Sequence, residues 1–154
     1  MATTQRLRDG HPPVRQACAG DLPALRELLS LCGLPFDGVV GNPDAFLVAF
    51  DQGLLTGSVG LEPNGADGLL RTLAVRPDHR GRGLGAHLTS RALQEARRLG
   101  LRRVFLLTET ASEYFPRFEF RPVSRQEAPS AVQASVEFAS ACPETAICME
   151  RRLA

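Results

Sequence analysis

Between residues 69 and 107 the chain changes its periodicity twice. The apolar run LLRTLAV is cut off by Pro77, the hexapeptide RGRGLG occupies residues 80–85, and a helical pattern then runs to Gly100 ahead of a second apolar run at residues 104–107. The helical stretch places Leu84, Leu88, Ala92, Ala96 and Leu99 on one face and Arg91, Gln94, Arg97 and Arg98 elsewhere, with Gly100 as the stop. A helix between two strands of one sheet allows them to lie parallel, with a right-handed crossover.

The sequence before this unit has a different rhythm. Three strand candidates at residues 45–50, 54–61 and 68–75 are separated by Asp51-Gln52-Gly53 and by Pro63-Asn64-Gly65, which predicts an antiparallel meander. Ahead of them come a short strand at residues 14–17 and a helix that Asp21 caps. Pro23 sits in its first turn, Leu22, Leu25, Leu28, Leu29 and Cys32 form its apolar stripe, and Gly33 ends it. Beyond residue 107 the pattern predicts a short helix at 112–118, a strand at 120–123, a helix at 127–140 and a last strand at 145–151. The fold class is therefore α/β: a mixed, mainly antiparallel sheet flanked by helices, with one parallel crossover. At 154 residues this is one domain over residues 13–154, after a loose lead-in over 1–12. Residues 34–44, rich in helix breakers, read as a lid, with Phe36 as a candidate acceptor contact.

Charge narrows the function classes. The net charge of +1 gives no electrostatic case for nucleic acid, a membrane surface or a strongly acidic partner. All 18 basic residues are arginine, however, and eight of them fall between positions 76 and 103 against only Asp78 and Glu95. Either they form a solvated helix face, or the first of them meet phosphate. The four cysteines, Cys18, Cys32, Cys142 and Cys148, contain no CxxC pair and read as small buried thiols in a reducing cytoplasm, with no metal site.

Strand, turn, RGRGLG and helix in that order aim backbone N–H groups at a helix N-terminus, where unsatisfied donors and the positive end of the dipole favour an anion. Glycines admit a phosphate close to the backbone, and Arg80 and Arg82 add charge-assisted bonds. A solvated glycine turn is the plain alternative. A nucleotide P-loop is excluded because it needs a lysine and the chain has none. A dinucleotide fold remains a distant alternative, since five residues stand between the strand end and the first glycine.

The stretch LRTLAVRPDHRGRGLGA at residues 70–86 resembles the acetyl-coenzyme A site of the GNAT superfamily of N-acetyltransferases. Leu73 and Val75 stand for the strand-ending step, Pro77 follows, and Arg80, Gly83 and Gly85 match R/Q-x-x-G-x-G/A. Within that superfamily the segments LLRTLAV, LLTETASEYF and EFASACPETA look most like small acetyltransferases associated with arsenic-resistance operons. The resemblance implies acetyl-CoA as acyl-donor cosubstrate, with Leu73, Ala74 and Val75 bonding its pantetheine arm between two splayed strands. A main-chain N–H near Leu73 or Ala74 would polarise the thioester. Arg80, Gly81, Arg82, Gly83, Leu84, Gly85 and Ala86 would take the pyrophosphate, and Phe115 would also line the cofactor.

The sequence departs from the family at both usual catalytic positions. Arg71 stands where a strand glutamate serves as base, Phe115 stands where a tyrosine serves as acid, and Glu119 replaces a glycine. Candidate catalytic groups are Glu109, Thr108 and Tyr114, with Glu62 as another water-relaying carboxylate. Strand alternation groups Arg71 with positions 69, 73 and 75, toward the acceptor. A guanidinium there suits an anionic acceptor carrying an amine, such as an amino acid or an amino-acid-like arsenical or phosphinate; pairing with Glu62 is the competing reading. The expected partner is a small-molecule amine, with neither nucleic acid nor membrane, for a cytoplasmic monomer or homodimer. A non-catalytic acyl-CoA-binding module and a protein N-acetyltransferase remain alternatives.

Overall fold

The computed structural model describes residues 12–34, 36, 43–108, 113–133 and 146–153. Seven strands, β1 (Val14–Gln16), β2 (Phe46–Asp51), β3 (Leu54–Asn64), β4 (Asp67–Val75), β5 (Arg103–Thr108), β6 (Arg121–Val123) and β7 (Ile147–Arg152), form one sheet in the order β1-β2-β3-β4-β5-β7-β6. The helices among the described residues are α1 (Leu22–Leu31), α2 (Leu84–Arg98) and α3 (Ser130–Gln133). β4 and β5 run parallel, with Asp67, Gly68 and Leu69 opposite Arg103, Val104 and Phe105. The β1–β2, β2–β3, β5–β7 and β6–β7 pairs are antiparallel. This is the mixed α/β sheet that the sequence pattern predicts.

Turn chemistry sets the first hairpin. Gln52 and Gly53 have φ of 52° and 79°, the two left-handed residues that a tight hairpin turn between twisted strands requires. The second hairpin turns later than the sequence suggests. β3 continues through Pro63 and Asn64, and the chain reverses at Gly65 and Ala66, Gly65 having φ of 66°.

The described residues gather into two compact units. One takes the residues up to Gly60 together with Thr72–Ala92; its core is Leu25, Leu28, Leu29, Phe46, Val48, Leu55 and Ala74. The sequence stripe of α1 supplies the helical side of that core. Within this unit Gly57 marks a close approach of β3 to α2: a Cβ there would lie 2.8 Å from Leu88 Cδ1, 3.1 Å from Leu84 Cδ2 and 3.2 Å from the Ala74 carbonyl. The other unit takes Leu61–Arg71 and the described residues from Leu93 onward, around Leu69, Phe105, Leu107, Ala128, Val132 and Cys148.

Several local expectations change. Asp21 does not cap α1 with its side chain. Its carboxylate instead takes both Arg15 nitrogens, at 2.8 and 2.9 Å, and the Cys18 N–H at 2.9 Å, because the tight turn at residues 19–21 brings these donors to it before the helix begins. The Arg15 guanidinium, aided by the Cys18 N–H, holds the Asp21 carboxyl at about 2 against the usual 3.8. A carboxylate depressed in the folded state stabilises above its unfolded pKa, and that contribution is lost as pH falls from 3.8 through 2. Asp21→Asn is therefore expected to lower stability at neutral pH by about 1–2 kcal/mol, less than the full shift implies because half-exposed Arg15 is screened by water. Denaturant titrations at pH 7 and at pH 2–4 check this: the difference between the two proteins should shrink across the acid window.

The helix expected at 112–118 is a single 3-10 turn at Phe115–Phe118, and that expected at 127–140 is described as a 3-10 turn at Arg125–Glu127 followed by α3. Residues 134–140, like 1–11 of the lead-in and most of 34–44, lie outside the described residues. Cys148 is buried, and burial pushes its thiol up to about 11. Cys18 is exposed and Cys32 half-buried, contrary to the expectation of buried thiols, while Cys142 lies outside the described residues. No helix among the described residues is long and apolar enough to cross a membrane.

Candidate active site

The glycine turn takes the shape that its composition favours. Gly81 and Gly83 have φ of 79° and 81°, a region that L side chains rarely adopt, and a Cβ on Gly81 would meet nothing within 4 Å. α2 begins at Leu84, and the His87 N–H bonds the Gly83 carbonyl at 3.0 Å. The N–H groups of Leu84, Gly85 and Ala86 therefore belong to the first turn, where no carbonyl one turn earlier is available to them. Gly81, Arg82 and Gly83 are exposed and Gly85 and Ala86 half-buried, so the turn opens to solvent.

Nearby charges leave this turn cationic. Arg76 and Asp78 pair at 3.4 Å, and His79 Nδ1 stands 3.0 Å from Asp78 and its Nε2 4.0 Å from Asp51. The contact with His79, then that with Arg76, draws the Asp78 carboxyl below its usual range. These acids are thus engaged before the turn starts. Arg80 donates through Nε to the Val75 carbonyl at 3.1 Å, while Arg82 makes no hydrogen bond or ion pair among the described residues. Two guanidiniums beside three glycines and a helix start fit the diphosphate of a nucleotide-like carrier.

The end of β4 carries a feature that the sequence did not signal. The Val75 carbonyl also accepts the Cys32 thiol at 3.4 Å, and Arg80 Nη2 lies 3.6 Å from that sulfur. Cys32 was legible only as the last member of an apolar stripe. Leu73 and Val75 are half-buried and Ala74 buried.

Two positions upstream, the regular alternation is interrupted at the residue that follows Arg71. Thr72 has φ of 49°, left-handed in the middle of a strand, and consecutive residues from Leu69 to Thr72 are all buried. A β-branched residue in that region is an outlier with a strain of about 1–3 kcal/mol. Arg71 is 5% exposed and its Nη1 contacts Glu62 Oε2 at 3.3 Å. This is the pairing with Glu62 that competed with a free acceptor-binding guanidinium.

The remaining candidates fall as follows. Thr108 is buried at the end of β5, opposite Ile147 of β7. Glu109 lies outside the described residues. Tyr114 is half-buried, with its ring 5.2 Å from that of Phe115, 5.4 Å from that of Phe118 and 4.5 Å from the Arg117 guanidinium. Phe115, 6% exposed, also packs on Phe120. Glu119 has a left-handed backbone, at φ of 65°, and its carboxylate bonds Arg151 at 2.8 Å. Phe36 is half-buried against the α1 core, with the Arg26 guanidinium 4.8 Å from its ring centroid.

A meander, a parallel crossover and a glycine cradle opening the crossover helix define an acetyltransferase. The model of the Acetyltransferase (GNAT) family matches residues 10–120, and the chain belongs to that family. It is 32% identical over 136 residues to the amino-acid acetyltransferase of Mycobacterium tuberculosis, covering 78% of this chain and 74% of that one. A Mycobacterium tuberculosis protein solved in complex with CoA and NLQ superposes with a TM-score of 0.78 at 27% identity, over 93% of this chain and all of the other. The N-acetylglutamate synthase of Neisseria gonorrhoeae, solved with coenzyme A and N-acetyl-glutamate, shares the fold with a TM-score of 0.80 at 24% identity; it covers 92% of this chain, which spans only 35% of that synthase.

Proposed function

We propose that the protein transfers an acetyl group from acetyl-CoA to the amine of an amino acid or an amino-acid-like anion. The observation that carries the donor is the cradle: Gly81 and Gly83 in left-handed geometry, ahead of the first turn of α2 and beside Arg80 and Arg82. Acetyl-CoA supplies an activated acetyl thioester. The first-turn N–H groups of α2 and the two guanidiniums hold the diphosphate, and the main chain at Leu73, Ala74 and Val75 holds the pantetheine arm. CoA in the solved Mycobacterium relative supports this assignment, and the name of the amino-acid acetyltransferase relative supports the acceptor class.

With arginine at the usual base position, the rate rests on placement. A positioned acid or base is typically worth about 10²- to 10⁴-fold, whereas correct juxtaposition of two reactants reaches effective molarities of about 10⁵–10⁸ M. A chain-terminal α-amine has a reference pKa of about 7.7–8.0, and the carboxylate of a free amino acid holds its ammonium above that range, so a water placed to take the proton is part of the proposed site. Thr108, Glu109 and Tyr114 are the side chains proposed to order that water. Arg71, steadied by Glu62, is proposed to face the acceptor's carboxylate or an equivalent phosphinate or arsenical group, and Phe36 to border it.

Free-thiol release from acetyl-CoA, measured across α-amino acids together with a phosphinate and an arsenical analogue, tests the reading. Turnover with at least one free amino acid is expected. Acetylation of peptide N-termini alone, or CoA binding without any turnover, would replace it with the protein-directed or the non-catalytic reading. Arg71→Ala is expected to raise acceptor KM about tenfold, the worth of one charge-assisted hydrogen bond. Its Kd for CoA should stay unchanged, and Arg71→Lys should recover part of the loss.

A further inference from the structure

Thr72 carries two independent energetic penalties at one residue. Its backbone is left-handed within β4, at φ of 49°, where glycine or asparagine would sit without strain. Its Oγ1 is buried without a hydrogen-bond partner among the described residues, in a residue 8% exposed. Buried hydroxyls in folded proteins are nearly always satisfied, so an orphan of this kind calls for a missing partner. Ser58 Oγ on β3 is likewise buried and unpartnered, but that residue is 0% exposed and has no left-handed backbone. Among the described residues, Thr72 alone combines a strained backbone, an unanswered hydroxyl and a residue that is not wholly enclosed.

The position of Thr72 says which partner is missing. It directly precedes Leu73 and Ala74, the main chain along which the proposed function lays the acetyl thioester, and this inference rests on that reading. We infer that Thr72 is a catalytic residue whose hydroxyl, after rotation about χ1, donates a hydrogen bond to the acyl carbonyl oxygen of the bound donor. The acceptor amine forms its N–C bond at that carbonyl carbon, the C–S bond breaks with its electron pair leaving on sulfur, and the amine's proton passes through solvent to give the free thiol. Throughout, the hydroxyl keeps its proton and meets the charge that gathers on the carbonyl oxygen. A neutral donor suits a chain with arginine at the strand-glutamate position and phenylalanine at the tyrosine position, because it works without titrating.

Thr72→Val keeps the branched shape and removes the hydroxyl, whereas Thr72→Ser keeps the hydroxyl. The decisive measurement is the infrared carbonyl frequency of acetyl-CoA labelled with ¹³C at the carbonyl, bound to each full-length protein, alongside calorimetric affinities for CoA and acetyl-CoA. The bound carbonyl is expected at lower frequency in the wild type and Thr72→Ser than in Thr72→Val. CoA affinity should change less than twofold, and kcat should fall about tenfold in Thr72→Val with acceptor KM unchanged. If Thr72→Val fails to fold, Thr72→Ala is read in its place against the same frequency. Identical carbonyl frequencies in the wild type and the hydroxyl-free variant, with CoA still bound, overturn the role of Thr72 and leave the cofactor assignment standing. A wild type that binds neither CoA nor acetyl-CoA overturns both.

Discussion

Gly83→Val is expected to weaken CoA binding about 100-fold, equal to about 2.7 kcal/mol, when measured by calorimetry. Gly83 holds φ of 81° at the residue whose carbonyl accepts the first hydrogen bond of α2. A β-branched residue there must either accept a strain of about 1–3 kcal/mol or unwind the turn. Either response displaces the first-turn N–H groups, and the new side chain also intrudes where an anion would approach. Gly100 supplies a matched control. It ends the same helix at φ of 76° with open space around it, so Gly100→Val should lose similar stability and leave CoA affinity unchanged. Equal loss of affinity in both variants would show that helix strain, and not the cradle, governs binding.

Gly57→Val should lower unfolding stability by about 2–3 kcal/mol, at the upper end for overpacking. Two of the three close neighbours of the added Cβ are leucine methyl groups that can rotate away, but the Ala74 carbonyl at 3.2 Å is backbone and cannot yield cheaply. The strain falls on Leu84, which opens α2, and on Ala74, which lies beside the proposed pantetheine contacts. CoA affinity should therefore fall together with stability, although Gly57 itself meets no ligand. In a Gly57→Val/Leu88→Ala double variant, the space vacated by Leu88 should make the combined loss smaller than the sum by more than 0.5 kcal/mol. Chemical denaturation of the four proteins of the cycle checks this.

The order of elements was legible because each is announced by local chemistry. Gln52-Gly53 turns one hairpin, Gly33 and Gly100 end two helices in left-handed geometry, and the apolar stripes of α1 and α2 supply most of the residues they bury, although Leu99 is exposed and the buried Leu93 lies outside the expected stripe. The left-handed glycine turn ahead of α2 was legible for the same reason, since glycine announces such a backbone without long-range context. What escaped depends on partners distant in sequence. Cys32 meets Val75 across 43 positions, which no periodicity encodes. Thr72 has a residue type that belongs in a regular strand, so nothing local signals its reversed backbone. Asp21 looks like a cap until Arg15 is seen to claim its carboxylate. Glu119 is left-handed at φ of 65°, which its residue type does not announce.

The Val75 carbonyl, shared by Arg80 Nε and the Cys32 thiol, has a further consequence for recognition. Because its guanidinium is moored to the main chain through one nitrogen, part of the rotational freedom of Arg80 is surrendered during folding, and in its proposed role it would meet a diphosphate already aimed. A lysine has a single nitrogen to divide between carbonyl and anion, so at this position the arginine-only composition of the chain is a matter of geometry as well as charge.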